Sequence, residues 1–122
     1  MTKLLIVEDE PILREMYAES FIEKGLEVVT AESAEEALLM VEQHWPDLIM
    51  LDILLPNANG NQMLEQLRKN PKTAKIKVVA FSNYDDKVAK EKARALGVLD
   101  YLIKTDYTPQ ETVEKIMSYL PC

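Results

Sequence analysis

Four places in this 122-residue chain carry side chains able to do chemistry, and each directly follows an apolar run. LLIV leads into Glu8-Asp9-Glu10, LIML into Asp52, VVAF into Ser82 and VLDYLI into Lys104. Carboxylates gathered at one point repel one another. They relieve that repulsion by taking a proton or by holding a hard cation, and an all-oxygen donor set suits Mg2+. With Mg2+ drawing in phosphoryl oxygens, Asp52 is placed to attack phosphorus and form an aspartyl phosphate, while Ser82 and Lys104 stabilise the other oxygens. Taken singly, each residue has a plainer reading as a helix N-terminal charge, a turn hydroxyl or a solvated lysine. Their joint placement is what points to phosphoryl transfer. A nucleotide or flavin site would instead want glycine-rich backbone to cradle phosphate, and VEDEP contains no glycine.

The elements that must position these residues follow from hydrophobic periodicity. Residues 4–7, 48–51, 78–81 and 98–103 are short, nearly uninterrupted apolar runs, the signature of strands covered on both faces. Residues 26–30 (LEVVT) are mixed and read as an edge strand. Between them lie helical periods: Leu13, Met16, Tyr17 and Phe21; Ala34, Ala37, Leu38 and Val41; Met63, Leu64 and Leu67; a weak basic helix around Val88, Ala89, Ala93 and Leu96; and Val113, Ile116, Met117 and Leu120. Ser33 with Glu36 and Thr108 with Glu111 have capping-box spacing, the second with Pro109 at the first helical position, and Gly25 and Gly97 can end helices. Five alternations of β and α give an α/β doubly wound parallel sheet with helices on both faces. Ligands of such sheets bind beyond the carboxyl ends of the strands, where the strand order reverses, and the acids, the hydroxyl and the ammonium are all expected there.

Composition narrows the function. A net charge of −7 disfavours nucleic acid and anionic membranes as direct partners. The charge is uneven: residues 1–50 hold 12 acidic and 3 basic side chains, residues 51–122 hold 9 and 11. Cys122 is the only cysteine, which excludes an internal disulfide and a cysteine-based metal site. The opening residues are too briefly apolar for a signal-peptide core or a membrane span, so the expectation is a cytoplasmic protein of one domain, residues 1–122.

In LLIVEDEP, DLIMLDILLPNANG, VVAFSN and GVLDYLIK, taken in order and at this spacing, the chain resembles the response-regulator receiver domains of two-component signalling. The resemblance implies a flavodoxin-like (βα)5 fold with strand order 2-1-3-4-5. It implies Asp52 as phosphoacceptor, fed by a histidine kinase or phosphotransfer protein. Asp9 would bind Mg2+ directly, Glu8 directly or through water, and the backbone carbonyl of Leu54 would complete the protein's share. Ser82 and Lys104 would contact the phosphoryl group, with Tyr101 as the aromatic that changes rotamer when Ser82 is drawn inward. Pro56 and Gly60 match the loop after the phosphoacceptor. The protein would catalyse only its own phosphorylation and dephosphorylation, so it is not an enzyme in the usual sense, and it would signal to a downstream protein or output domain through its fourth helix, fifth strand and fifth helix.

Three positions depart from the family's pattern. Thr105 stands where the family commonly has a proline after the lysine, and a cis bond to a non-proline costs about 3–4 kcal/mol, so the Lys104–Thr105 bond is expected to be trans. Leu54 and Tyr84 stand two residues after Asp52 and Ser82, where polar side chains often influence the water that attacks the acyl phosphate. Leu54 cannot orient water, which predicts a long-lived phosphorylated state. His44, the only histidine, reads as a helix-end residue and Trp45 as packing under the turn. Lys87, Lys90 and Arg94 read as a solvated face or, less simply, as a docking surface for an acidic partner. Two other functions compete: a phosphorylation-independent adaptor with the same fold, and a phosphatase with an aspartyl nucleophile. The first would have been expected to lose one of the chemical positions, all of which are filled. The second wants DxD where this chain has VED.

Overall fold

The apolar runs alternate with helices long enough to cross over, and the result is one parallel sheet. In the computed structural model, which describes residues 1–55, 58–83 and 86–120, its strands are β1 (Lys3–Val7), β2 (Glu27–Ala31), β3 (Leu48–Asp52), β4 (Lys77–Ser82) and β5 (Asp100–Ile103). They lie in the order β2-β1-β3-β4-β5, as expected for this doubly wound α/β fold. The helices are α1 (Pro11–Glu23), α2 (Ala34–His44), α3 (Gly60–Lys69), α4 (Lys87–Ala95) and α5 (Pro109–Met117). Pro56, Tyr84 and Cys122 fall outside the described residues.

Side-chain alternation along the strands divides the core in two. Leu5, Val7, Ile49, Leu51, Val78, Ala80, Tyr101 and Ile103 face α2, α3 and α4. Leu4, Ile6, Leu48, Met50, Val79, Phe81 and Leu102 face α1 and α5, where they meet Tyr17, Phe21, Val113 and Ile116. Each fully buried aliphatic or aromatic side chain contributes about 1.5–3 kcal/mol relative to exposure, which is why both faces of the sheet must be covered. The edge position read for residues 26–30 is found in β2, whose first four residues are only partly covered or exposed.

Helix ends follow the local chemistry. Thr108 and Glu111 form a complete capping box, each side chain accepting from the other's backbone N–H, with Pro109 in the first turn. Ser33 forms only half of one: its hydroxyl accepts from Glu36 N, but the Glu36 carboxylate reaches back to the N–H of Glu32. Gly25 and Gly97 close α1 and α4 in the left-handed conformation, at φ 92° and 80°.

Other expectations need correction. The fifth strand begins at Asp100 rather than residue 98, because Gly97 has just reversed the chain and Leu99 remains 44% exposed. Val88 does not face the core; it is 73% exposed in the first turn of α4, and Ala93 is the helix's buried residue. Trp45 does not pack under the turn. It caps α2 in a left-handed conformation, φ 48°, and is half exposed, while the following Pro46 is the buried residue there. A small antiparallel ribbon, Leu54–Leu55 against Ala58–Asn59, had no signal in the sequence.

Candidate functional site

Strand parity decides which candidate residues meet. Continuing the alternation past the end of each strand, Glu8, Asp52 and Lys104 fall on the same side of the sheet as Ile6, Met50 and Leu102, the side of α1 and α5. Ser82 and Tyr101 fall on the other, toward α4. The parallel register sets the depth: β1 pairs Val7 with Leu51 of β3, and β3 pairs Asp52 with Phe81 of β4. Glu8 and Asp52 therefore emerge side by side at the carboxyl edge, both buried.

The resulting pocket, of about 280 Å3, is lined by Glu8, Asp9, Glu10, Asp52, Leu54, Asn83 and Lys104. Carboxylate oxygens of Glu8, Asp9 and Asp52 all lie within 4.8 Å of one another, with Asp9 the exposed member. Lys104 reaches in from beyond β5 and donates to Glu8 Oε1 and, at 3.2 Å, to Asp52 Oδ2. Its ammonium also lies 5.1 Å from the centroid of the Phe81 ring. The second Asp52 oxygen, Oδ1, accepts the backbone N–H of Leu54 at 3.0 Å. The peptide bond after Lys104 is trans, since no described bond is cis, and residues Lys104–Asp106 form a single 3-10 turn.

Charge in this pocket is only partly balanced. Burial, helped by the neighbouring Asp52 carboxylate, raises the pKa of Glu8, and Lys104 opposes the rise without cancelling it. Asp9 is raised by partial burial and by Glu8. For Lys104, burial disfavours the charge, but hydrogen bonding to Glu8 and the fields of Asp52 and Glu8 outweigh it and hold the pKa above the ordinary lysine value. Four carboxylates line the pocket with one ammonium, and three of them, those of Glu8, Asp9 and Asp52, are close enough to share a ligand. A divalent cation with oxygen preference fits that donor set, which offers no nitrogen or sulfur ligand and retains excess negative charge.

The remaining sequence candidates sit around this pocket. Leu54 lines its mouth, half exposed. Ser82 is fully buried at the end of β4, paired in register with Ile103, and is not among the lining residues. Tyr101 is buried within the α4-side core, with Lys90 Nζ 5.9 Å from its ring centroid. Gly60 opens α3 directly against the acceptor loop: a Cβ there would lie 2.7 Å from the Asp52 carbonyl oxygen and 2.8 Å from Ile53 Cα. His44 ends α2, as read, and its carbonyl accepts from Lys3 Nζ at 3.0 Å.

Sequence reasoning missed two neighbours. Arg14, one turn into α1, donates to the carbonyl of Glu8 at 2.9 Å and fixes the turn that presents the acids. Asn83 lines the pocket directly after Ser82, and its position after the fourth strand was the available signal.

The chain is similar to known proteins. Residues 4–117 match the family described as response regulator receiver domain. The phosphate regulon transcriptional regulatory protein PhoB of Escherichia coli is 31% identical over 118 residues, which are 97% of this chain and 51% of that protein, so the chain spans about half the length of the curated relatives it matches. Among solved structures, response regulator TrrA of Thermotoga maritima, in complex with Mg(2+)-BeF, is 32% identical with a TM-score of 0.83, covering 98% of this chain and 100% of that one. Chemotaxis protein CheY4 of Vibrio cholerae, at 23% identity, shares the fold, with a TM-score of 0.88 over 98% of this chain and 99% of that one. The chain belongs to the response-regulator receiver domain family.

Proposed function

We propose that this receiver, a single domain over residues 1–122, accepts a phosphoryl group on Asp52 from a histidine kinase or phosphotransfer protein in a Mg2+-dependent reaction, and passes the signal through its α4-β5-α5 face to a downstream protein or output domain. The observation that carries this reading is the buried Asp52 carboxylate held between Lys104 and the Leu54 N–H beside Glu8 and Asp9. An oxygen of Asp52 attacks phosphorus, the bond from phosphorus to the donor's imidazole nitrogen breaks, and that nitrogen leaves with the electron pair. When bound, Mg2+ would be held by Glu8, Asp9, Asp52 and the Leu54 carbonyl and would supply charge neutralisation.

Lys104 is already hydrogen-bonded to the acceptor and moves with it from carboxylate to acyl phosphate, so it supplies a preorganised cation. Ser82 contacts the phosphoryl group only by drawing inward, and the space vacated on the α4 side goes to Tyr101. Phosphorylation thereby biases a two-state equilibrium at the α4-β5-α5 face. The protein turns over no separate substrate, and the work is done in the cytoplasm. Among the described residues no helix is long and apolar enough to cross a membrane.

Intact mass after incubation with a small acyl-phosphate donor tests the reading. A Mg2+-dependent gain of one phosphoryl group, absent in Asp52→Asn, is expected. No gain in the native chain would replace it with a phosphorylation-independent adaptor.

A further inference from the structure

The opposite edge of the sheet carries a second feature that the phosphoacceptor chemistry does not use. Between residues 66 and 83 the chain has five basic side chains, Arg68, Lys69, Lys72, Lys75 and Lys77, and no acidic one, although the protein as a whole is at −7. Among the described residues none of these five takes part in an ion pair; the nearby Lys92 is paired with Glu65 instead. Lys75 and Lys77 are exposed and flank Ile76, forming a ridge shared by two adjoining depressions. The larger, about 540 Å3, has an apolar wall of Ile76, Leu96 and the 44% exposed Leu99. The smaller, about 350 Å3, runs on from the ridge past Lys72 to Pro46, with Asp47 its single acid; that carboxylate already accepts the Lys3 N–H.

Arg68 explains why this groove is rigid and why it is positive. Its guanidinium donates to four backbone carbonyls, those of Leu96, Ala74, Ile76 and Gly97, and so ties the end of α3 to the segment before β4 and to the end of α4. Those acceptors satisfy its hydrogen bonds without cancelling its charge. Burial acts against that charge and lowers its pKa, and no carboxylate raises it. An apolar trough with an uncompensated guanidinium in its floor and lysines on its rim is complementary to a chain that carries negative charge around an aliphatic side chain.

We infer that this groove at the amino edge of the sheet, between Leu99 and Pro46, is a docking site for an acidic peptide segment of a partner protein, with one aliphatic anchor seated against Ile76, Leu96 and Leu99. The surface lies at the far end of the strands from Asp52 and does not depend on phosphorylation.

The test is an amide-shift titration of the isotopically labelled full chain with the synthetic peptide EELED, beside QQLQN, which lacks the charge, and EEGED, which lacks the anchor. EELED is expected to shift the amides of residues 74–77 and 96–99, with affinity falling as salt rises. QQLQN and EEGED are expected to bind at least tenfold more weakly. Lys75→Glu with Lys77→Glu should abolish the shifts, and the milder Lys75→Gln with Lys77→Gln should weaken them several-fold with the spectrum otherwise intact. The inference fails if those amides stay still at millimolar EELED, or if the shifts map to Lys87, Lys90 and Arg94 on α4. It fails equally if inorganic phosphate or a short oligonucleotide reproduces them at the same affinity, or if unlabelled copies of the chain alone do so.

Discussion

Lys104 Nζ lies 3.2 Å from Asp52 Oδ2, although 52 positions separate the two residues in the chain. The contact joins the ends of β3 and β5, two strands that are not neighbours in the sheet. It reaches across β4 over the face of Phe81. An ammonium so placed does two things at once: it neutralises part of the carboxylate cluster and links the acceptor to the loop before α5.

Removing it should separate those effects. Lys104→Met leaves Glu8 and Asp52 buried without their counter-charge, and breaking a buried pair in this way costs about 3–5 kcal/mol. Saturating Mg2+ should restore much of that loss, because a cation bound only by the folded state stabilises it. Denaturant unfolding with and without Mg2+ checks this. The same variant should still be phosphorylated but fail to change its α4-β5-α5 amide shifts; a normal response would remove Lys104 from the switch.

Gly60 packs directly against the backbone that follows the acceptor. A Cβ there meets backbone on the Asp52–Ile53 side at 2.7 and 2.8 Å, and backbone cannot swing aside as a long side chain can. Gly60→Ala should destabilise the fold by about 1–3 kcal/mol, the range for overpacked sites. It should also slow acyl-phosphate labelling of Asp52 in a mass-resolved time course. Normal labelling with normal stability would show that the loop yields freely.

Leu54 stands half exposed at the mouth of the pocket and has no polar atom beyond its backbone. Leu54→Asn supplies a donor and an acceptor at the mouth of the pocket, on the side open to solvent. Release of inorganic phosphate from the labelled protein should quicken several-fold; an unchanged rate would mean that the lifetime of the acyl phosphate is set elsewhere.

Far from this chemistry, Tyr119 donates its hydroxyl to Asp100 Oδ2, and that hydrogen bond, with burial and the Asp100 charge, pushes its pKa up to about 12 from the ordinary 10.0. The folded state holds the neutral phenol. Its contribution to stability is therefore fully present below pH 10.0 and lost as the pH rises through about 12. A phenolate absorbance titration should show late-titrating tyrosines, with buried Tyr17 raised above 10.0 and Tyr119 pushed up to about 12. Asp100→Asn should move Tyr119 back toward 10.0, and no movement would assign the shift to burial instead.

Much of this arrangement was legible in the sequence because it rests on long-range regularity. Unbroken apolar runs such as LLIV and LIML, four residues long and bounded by charged ones, suit a doubly covered strand better than a helix, and each delivers its polar successor to the same edge. What escaped was local. The ribbon at Leu54–Leu55 has two-residue arms, too short to show a period. Val88 is a β-branched residue that a helical pattern assigns to the core, yet it falls in the first turn, where Asp86 caps its N–H and the side chain points to solvent. Arg68, which ties three segments together, looks in the sequence like any charge at the end of a helix.

Trp45 has an optical consequence. It is the chain's only tryptophan, half exposed in its left-handed cap, and it shares a depression with Asn70 and Lys72. The whole length of β3, at about 3.3 Å per residue, separates that spot from Asp52. The molecule thus carries a single indole fluorophore at one pole: its emission reports on anything that settles near Lys72 and is a poor witness to phosphoryl chemistry at the other.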